Sequence, residues 1–392
     1  MLMRIAFLCF LLLIMALRTV AQSPVLDTTL TATTRLPLTP LYYGLGTDRL
    51  GGARLETLDS GVVLPITGLD SSRRYWRVRL AATLSAYVPT DAVQTDTLPL
   101  RTGGLTGNAR VWGEATADYV ALSLPARLPY RSRQEVEPRR IVVDVFGVTA
   151  NTNWLTQLRS ARAVRQVYYE QLADGWLRLF IDLTTDRHWG YSLYYVRNVL
   201  TIRVRHAPAR RRLRGLTIAV DAGHGGSNTG ARGLNTGQLE KDLTLDVAQR
   251  LNRLLSRRGA RVLLVRDRDT LLGPTARLLA MRTARPQLLV SIHFNASGNR
   301  AVRGVSTYYK HAGFAPLSQA ILLELLRRGN VAEFGTVGSF NFFFNTPTDY
   351  PNVLVEGPFL SNAADEALIS SPRYRQRMAR AIRNGIRRYL RE

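Results

Sequence analysis

The sequence predicts a multidomain protein: two small all-β N-terminal domains, followed by an α/β domain with a largely parallel sheet covered by helices on both faces. A chain of 392 residues is long for one domain and suggests two or three. Between Leu36 and Ala207, the apolar runs are short and are interrupted by glycines, which is typical of all-β domains. After Arg214, short apolar strands alternate with segments of helical period, which indicates a parallel sheet with covering helices.

The first 21 residues are predicted to be a secretory signal peptide. Arg4 precedes the apolar run Ile5–Leu17, and the segment ends in small residues. The run is too short for a membrane-spanning helix, and the alternative is a buried N-terminal helix. Cys9, the only cysteine of the chain, lies inside this segment, so the mature chain is expected to have no disulfides and no thiol chemistry. We therefore expect an exported protein with no transmembrane segment in the mature chain.

The chain is strongly basic, and nearly all of its positive charge is arginine. The net charge is +24, and it falls to +22 when Arg4 and Arg18 are removed with the signal peptide (24 − 2 = 22). A strongly basic protein favours polyanions. Because an exported protein rarely meets nucleic acid, we expect no nucleic-acid partner and consider anionic cell-wall polymers or lipid headgroups instead. The alternative is an arginine-rich composition without a dedicated binding surface.

Residues 30–100 are predicted to form the first β domain. The segment Val63–Val93 contains the run Tyr75-Trp76-Arg77-Val78 and, later, Tyr87-Val88-Pro89. In these features it resembles a bacterial SH3-like domain. The resemblance covers about sixty residues.

Residues 105–208 are predicted to form a second β domain, a sandwich. Three of its strands are apolar or alternating: Arg140–Gly147, Trp176–Leu183 and Val199–Val204. The pattern resembles the AMIN domain, which targets amidases to the cell envelope. That resemblance implies the periplasm as the first location and an extracellular or cell-wall-associated one as the second. A β-sandwich without a ligand is the alternative. The basic residues 209–215 are predicted to be a linker.

Residues 216–392 are predicted to form the α/β domain. The predicted strands are Leu216–Asp221, Arg261–Val265, Leu288–His293, Gly304–Tyr309 and Val353–Glu356, and the predicted helices are Leu239–Leu255, Pro274–Ala284, Pro316–Arg328 and Pro372–Leu390. In an open α/β sheet, functional residues gather at the carboxyl ends of the strands. Candidate functional residues are therefore expected at these strand ends.

Three side chains of the α/β region lie at such strand ends, and a fourth lies at the start of an adjacent helix. His224 follows the first strand, His293 and Glu356 end two later strands, and Glu240 begins the helix after the His224 loop. Two imidazoles and a carboxylate form a catalytic zinc set with an open position for water, and the remaining carboxylate can transfer protons. Each residue alone would be interpreted as structural, so the prediction depends on their co-location. The other histidines are interpreted as surface or packing residues: His188, His206 and His311.

Four segments, in family order, resemble the signatures of the Amidase_3 type of N-acetylmuramoyl-L-alanine amidase. They are Asp221–Ala231, Gln238–Asp242, Val290–Ala296 and Val353–Asn362. The resemblance implies that residues 216–392 are a catalytic domain. It implies zinc (Zn2+) ligands at His224, Glu240 and His293, a catalytic glutamate at Glu356 and a structural role for Arg277. Asn295 is predicted to bind substrate.

The activity that the resemblance implies is zinc-dependent hydrolysis of the amide bond between N-acetylmuramic acid and L-alanine in peptidoglycan. The expected role is cell-wall turnover or daughter-cell separation. The protein is expected to be a monomer, with peptidoglycan and envelope division proteins as its partners. The alternatives are a catalytically silent peptidoglycan-binding scaffold and a zinc peptidase that cuts another bond. Asn228, Phe294 and Gly357-Pro358 depart from the family pattern, which puts the shape of the pocket in question but removes no ligand.

Some division amidases of this family carry a blocking helix between the second zinc histidine and the catalytic glutamate. Here the segment Gly329–Pro351 is rich in glycine and phenylalanine and shows no helical period. It is predicted to be a loop with a short strand that forms one wall of the substrate groove, without a blocking helix. We therefore expect activity without an activator. Glu333, the one glutamate there that could reach a metal, is expected to bind none.

Overall fold

The computed structural model describes residues 30–46, 52–96 and 104–391. The predicted signal peptide, with Cys9, lies outside the described residues. The first region is a seven-stranded antiparallel sheet in the order β3-β2-β6-β5-β4-β1-β7. Its strands are β1 (Thr31–Thr34), β2 (Thr39–Leu45), β3 (Gly52–Leu58), β4 (Val63–Leu69), β5 (Tyr75–Ala81), β6 (Leu84–Pro89) and β7 (Val93–Asp96).

The second region is also entirely β. Its strands are β8 (Gly104–Leu105), β9 (Ala109–Gly113), β10 (Ala117–Ser123), β11 (Tyr130–Glu135), β12 (Arg140–Phe146), β13 (Val148–Thr149), β14 (Leu155–Gln157), β15 (Val164–Ala173), β16 (Trp176–Leu183), β17 (Tyr191–Val196) and β18 (Val199–Arg205). They form a five-stranded sheet β14-β9-β10-β18-β17, a four-stranded sheet β11-β12-β16-β15 and the pair β13-β8. The predicted all-β N-terminal region is therefore confirmed. The SH3-like and AMIN-like assignments stay predictions.

The two β regions share one hydrophobic core. Leu64 and Val78 of the first region belong to the same buried cluster as Val143, Ile181 and Ile202 of the second. Burial of these aliphatic side chains on both sides of the junction favours a fixed arrangement of the two regions, because apolar surface is removed from water on both. The β regions are thus packed together and are not loosely tethered.

The C-terminal region alternates strands and helices. Its elements are β19 (Thr217–Ala222), α1 (Glu240–Ser256), β20 (Arg261–Leu264), α2 (Pro274–Ala284), β21 (Leu288–Phe294), β22 (Val305–Tyr308), α3 (Ala315–Gly329), β23 (Glu333–Val337), β24 (Asn352–Gly357), α4 (Ala363–Ser370) and α5 (Pro372–Arg391). The six strands form one sheet in the order β20-β19-β21-β24-β22-β23. All neighbouring pairs are parallel except β22 and β24, which are antiparallel.

The two faces of this sheet are covered differently. Ile218 and Val220 of β19 belong to a large core with buried residues of α1, α3 and α5, whereas Ala219 faces a smaller cluster. That smaller cluster contains Met281 of α2 together with Phe344 and Tyr350 from the segment before β24. Three helices therefore cover one face, and one helix with a largely non-helical aromatic segment covers the other. Alternation of side chains along β19 produces this division.

Helix α4 and the packing of the linker were not predicted from the sequence. Asn362 caps α4 by accepting hydrogen bonds from the backbone N–H groups of Ala364 and Asp365. In the basic segment 209–215, Leu213 is buried in the α/β core and Arg211 forms an ion pair of 2.7 Å with Asp186 of the second β region. The segment is therefore fixed to both of its neighbours. None of the helices in the described part of the chain is both long and apolar enough to cross a bilayer.

Candidate metal centre

The loop after β19 brings His224 to the carboxyl edge of the sheet. The backbone of His224 has φ of 62°, a left-handed conformation that is uncommon for a residue with a side chain. Glycines before and after His224 in the sequence allow the side chains of the candidate ligands to approach this loop closely. A Cβ atom on Gly223 would collide with the ring of His293, and one on Gly230 would collide with the carboxylate of Glu240. The glycines of this motif are therefore required by the packing of the candidate ligands.

Glu240 lies between the two histidines. As the first residue of α1, it places Oε2 at 3.1 Å from Nε2 of His224 and Oε1 at 3.0 Å from Nδ1 of His293. The same oxygens accept hydrogen bonds from the backbone N–H groups of Ala231, at 2.8 Å, and Phe294, at 3.1 Å. Backbone donors from the His224 loop and from the end of β21 thus fix the orientation of this carboxylate.

Asn228 sets the orientation of the His224 ring. Its amide Oδ1 lies 2.9 Å from Nδ1 of His224 and serves as an acceptor, so the ring is assigned a proton on Nδ1 and turns Nε2 towards Glu240. Metal-ligating histidines in proteins are commonly held by such a hydrogen bond to the other ring nitrogen. Asn228, a departure from the family pattern, therefore still supplies the acceptor that this position needs.

The carboxylate of Glu240 carries the negative charge at the centre. Burial alone would raise the pKa of its carboxyl, but the hydrogen bonds with His224 and His293 outweigh burial and hold the pKa well below its usual value. For His293, burial alone would lower the pKa, but the neighbouring Glu240 carboxylate raises it above the ordinary value. An anionic carboxylate between two imidazoles is a suitable donor set for a divalent cation.

The residues fit a metal ion. One ligand atom from each of His224, Glu240 and His293 can be chosen so that all three lie within 4.8 Å of one another, the one such group found among the described residues. The Nε2 atom of His293 is buried and has no hydrogen-bond partner in the described part of the chain. Three protein ligands leave a coordination position for water, as in catalytic zinc sites.

Arg277 of α2 and Asp221 of β19 form a buried ion pair behind the centre. Nη1 of Arg277 lies 2.7 Å from Oδ1 of Asp221 and 2.8 Å from the carbonyl oxygen of Ala222, and Nη2 donates to the carbonyl oxygen of His224. The other carboxylate oxygen of Asp221 accepts a hydrogen bond from Ser291 at 2.8 Å. Arg277 therefore joins α2 to the backbone that presents the first histidine, in agreement with the structural role implied for it.

A groove of about 410 Å³ lies over the three ligand side chains. Glu356 and Asn295 both line it, together with the aromatic side chains of Phe340, Phe342, Phe343 and Phe344. Glu356, in β24, is the register partner of His293 in β21. The amide of Asn295 lies 3.5 Å from the hydroxyl of Tyr308. The structure thus brings every sequence-predicted site residue to one groove, with phenylalanines along one wall.

The comparisons with known proteins agree with this geometry. A family model described as N-acetylmuramoyl-L-alanine amidase matches residues 218–388. The probable cell wall amidase LytH of Staphylococcus epidermidis is 32% identical over 216 residues, which cover 55% of this chain and 71% of LytH. This chain belongs to the N-acetylmuramoyl-L-alanine amidase family.

Two further amidases match the same part of the chain. N-acetylmuramoyl-L-alanine amidase LytC of Bacillus subtilis is 35% identical over 181 residues, which cover 45% of this chain and 36% of LytC. The match therefore spans about a third of that relative. The catalytic domain of the amidase CwlV from Bacillus (Paenibacillus) polymyxa shows 30% identity over 45% of this chain and 98% of its own length, with a TM-score of 0.43.

The matched amidase region begins in β19 and ends in α5, so it contains every candidate site residue.

The histidines outside the amidase centre make structural contacts. Nε2 of His206 lies 2.6 Å from the Asp118 carboxylate, while His188 and His311 bond to the carbonyl oxygens of Glu135 and Thr346, each at 2.8 Å. Their interpretation as packing residues is consistent with these contacts. Glu333 is exposed at the start of β23 and is not part of the ligand group.

Sequence reasoning overlooked two buried residues that support the amidase centre. Arg266 donates hydrogen bonds to the carbonyl oxygens of Ala222, Gly223 and Lys241, and so joins the His224 loop to the first turn of α1. Asp221 begins the family-like segment Asp221–Ala231, but the sequence pattern assigns no separate structural or chemical role to it. Asp221 lies in the same motif as His224, so its charge was an available signal, because a buried charge requires partners. Arg266 follows β20, far from every ligand motif in the sequence, and only the fold brings it to the centre.

Proposed function

We propose that this protein is an exported, zinc-dependent N-acetylmuramoyl-L-alanine amidase that acts on peptidoglycan during cell-wall turnover or daughter-cell separation. The observation that carries the proposal is the convergence of His224, Glu240 and His293 beside Glu356 in one groove. Membership of the amidase family selects the amide bond between muramic acid and L-alanine as the bond that is cut. Zinc fits the donor set of two imidazoles and one carboxylate.

A zinc ion bound by His224, Glu240 and His293 would act as a Lewis acid and lower the pKa of a water at its open position towards about 7. Glu356 is the carboxylate placed to accept a proton from the attacking water. Attack forms a carbon–oxygen bond at the lactyl carbonyl of muramic acid, and the carbon–nitrogen bond to alanine then breaks. Glu356 returns this proton to the leaving nitrogen, and the second proton of the water, lost when the new carboxyl ionises, is taken up by the amine. The products are therefore a carboxylate and an ammonium group.

The chain's other groups support this chemistry by positioning. Asn228 and the backbone donors to Glu240 hold the ligand side chains, and Arg277 holds the His224 loop. The apolar wall of phenylalanines excludes water from one side of the groove, which strengthens electrostatic interactions inside it. Asn295, with an amide at the edge of the groove, is proposed to bind polar groups of the glycan–peptide substrate.

Digestion of purified peptidoglycan, followed by mass spectrometry, tests the proposal. An amidase releases intact stem peptides with a free L-alanine amine and leaves glycan with unsubstituted lactyl groups. A zinc peptidase would release shorter peptides and leave amino acids on muramic acid, and a binding scaffold would release neither product. The matched control is His293→Ala, which should lose both zinc and product.

A further inference from the structure

The wall of the groove is contacted by a residue from the first β domain. Arg54 lies in β3, and its guanidinium carbon lies 4.9 Å from the centroid of the Phe343 ring. Its Nη1 donates a hydrogen bond of 3.0 Å to Oγ1 of Thr346, which follows the short 3-10 turn Phe343–Asn345. One side chain from the N-terminal region therefore holds both ends of this turn.

A half-buried lysine reinforces the same junction. Nζ of Lys310 donates to the backbone carbonyl oxygen of Arg54 at 3.1 Å and to the amide oxygen of Asn341 at 3.3 Å. Lys310 follows β22 of the catalytic region, so it joins the backbone of β3 to the start of the aromatic wall. Charge-assisted hydrogen bonds of this kind are stronger than neutral ones.

From Arg54 the contacts continue to a metal-ligand histidine. The ring of Phe343 packs edge-on against Phe344, at 5.9 Å between centroids, and Phe344 packs against Phe342 at 5.6 Å. Phe342 in turn lies edge-on to His293 at 5.7 Å. Aromatic rings in contact shift together, because packed interiors leave little free volume. The position of Phe343 is thus linked to the floor of the groove.

The wall segment, residues 338–351, is anchored on its two sides by different domains. On the catalytic side, Asn345 donates to the carbonyl oxygen of Tyr308 at 3.1 Å, and Phe344 is buried in the small core. On the outer side, the face of Phe343 is covered by the guanidinium of Arg54. A desolvated cation over a ring stabilises that ring's position more than the same contact in water.

We propose that Arg54 is a positioning residue for the aromatic wall, and that the first β domain is therefore part of the substrate groove as well as a candidate targeting module. The effect on turnover rests on the proposed amidase function, whereas the effect on the wall does not. Loss of Arg54 should loosen the wall segment 338–351 and weaken substrate binding. The metal ligands, which Arg54 does not contact, should keep their zinc.

The test compares Arg54→Ala, Arg54→Lys and the control Arg77→Ala in the full chain. Arg77 is an exposed arginine on β5 of the same sheet, and its side chain has no hydrogen bond or ion pair within the described residues. Hydrogen–deuterium exchange of the peptide covering 338–351 reports on the wall without requiring activity. Exchange there should rise in Arg54→Ala, rise less in Arg54→Lys, and stay at the wild-type level in Arg77→Ala.

Kinetics on a soluble glycan–peptide fragment supply the second readout. We expect KM to rise about tenfold in Arg54→Ala while kcat stays within about twofold, because a lost positioning contact weakens binding by roughly one power of ten. Unchanged exchange over 338–351 in a folded Arg54→Ala protein would overturn the proposal, whatever the activity. If Arg54→Ala does not fold, Arg54→Gln, which also removes the cation over Phe343, must show the same rise in exchange, and its absence overturns the proposal equally.

Discussion

His293 and Glu356 are direct register partners in the neighbouring parallel strands β21 and β24. Partners in adjacent strands project towards the same face of a sheet, so both side chains point into the groove. One of them belongs to the group that could hold a metal, and the other is half-buried beside it. In the proposed mechanism, a metal ligand and the proton-transferring carboxylate would therefore lie on two adjacent strands.

Glu356→Gln should keep the metal and lose nearly all turnover. Glutamine has almost the same shape as glutamate but cannot accept the proton of the attacking water, and positioned acid–base groups contribute roughly 10²–10⁴-fold to rate. Zinc content by plasma mass spectrometry and product release from peptidoglycan measure the two effects separately. A variant that turns over near the wild-type rate would show that another group transfers the proton.

Asn228→Ala should weaken zinc binding while leaving the fold intact. The hydrogen bond from Nδ1 of His224 to Oδ1 of Asn228 fixes the ring orientation, and loss of such a partner typically costs 10–100-fold in metal affinity. Asn228→Asp keeps an acceptor at this position and is the matched control, with affinity at or above that of the wild type. Competition with a chelator of known affinity measures the change. Equal affinities in Asn228→Ala and wild type would remove Asn228 from the support of the site.

The residues of the candidate site could be brought together from the sequence because local signals specify their positions. His224, His293 and Glu356 each lie at or just beyond the carboxyl end of a short apolar strand, and such ends meet at one edge of a parallel sheet. The glycines beside His224 also have a local explanation, since the loop contacts two ligands. Residue type and strand position were therefore sufficient for this part of the site.

The remaining features depend on contacts between distant segments. The bond between Arg54 and Thr346 joins residues 292 positions apart, and no periodicity connects β3 with the aromatic wall. The antiparallel pairing of β22 with β24 interrupts an otherwise parallel sheet, and strand order is not encoded in the apolar pattern of any one strand. Helix α4 has only 8 residues, so its period is too short to detect, although Asn362 was a usable capping signal.

His311 should make the folded state sensitive to acid. Burial, with a further contribution from Lys310, lowers the pKa of His311 from 6.5 to about 3, and the ring bonds to the carbonyl oxygen of Thr346. As pH falls below about 6.5, the unfolded chain binds a proton here and the folded chain does not, so this residue's contribution to stability is lost progressively between about pH 6.5 and 3.

His311→Gln removes this titration, so its unfolding free energy should fall less steeply with acid. The difference in slope should be at most about 1.4 kcal/mol per pH unit, the value for one proton. Urea denaturation of both proteins at pH 7, 6 and 5 measures the two slopes. Parallel pH profiles would show that His311 is protonated in the folded state as readily as in the unfolded one. His188, which lies near His311 and has a pKa lowered mainly by burial, remains in both proteins and cancels in the comparison.

The isolated mature protein should be active on peptidoglycan without an activator. Between His293 and Glu356, the one α-helix is α3, whose buried residues Leu317, Ile321 and Leu325 pack into the core with α5. The segment Gly329–Pro351 contains the strand β23 and a single 3-10 turn. No α-helix in the described part of this interval contributes a residue to the lining of the groove.

Three results follow from that arrangement. Purified, zinc-loaded protein should release stem peptides at a rate that cell-envelope extract does not raise. Glu333→Gln should leave the rate unchanged within about twofold, because exposed substitutions away from a site have small effects. Deletion of 329–351 should inactivate the protein, since it removes β23 and the buried Phe344 and Tyr350 that cover one face of the sheet. A zinc-loaded but inactive full-length protein that this deletion switches on would show that the segment blocks the groove instead of forming its wall.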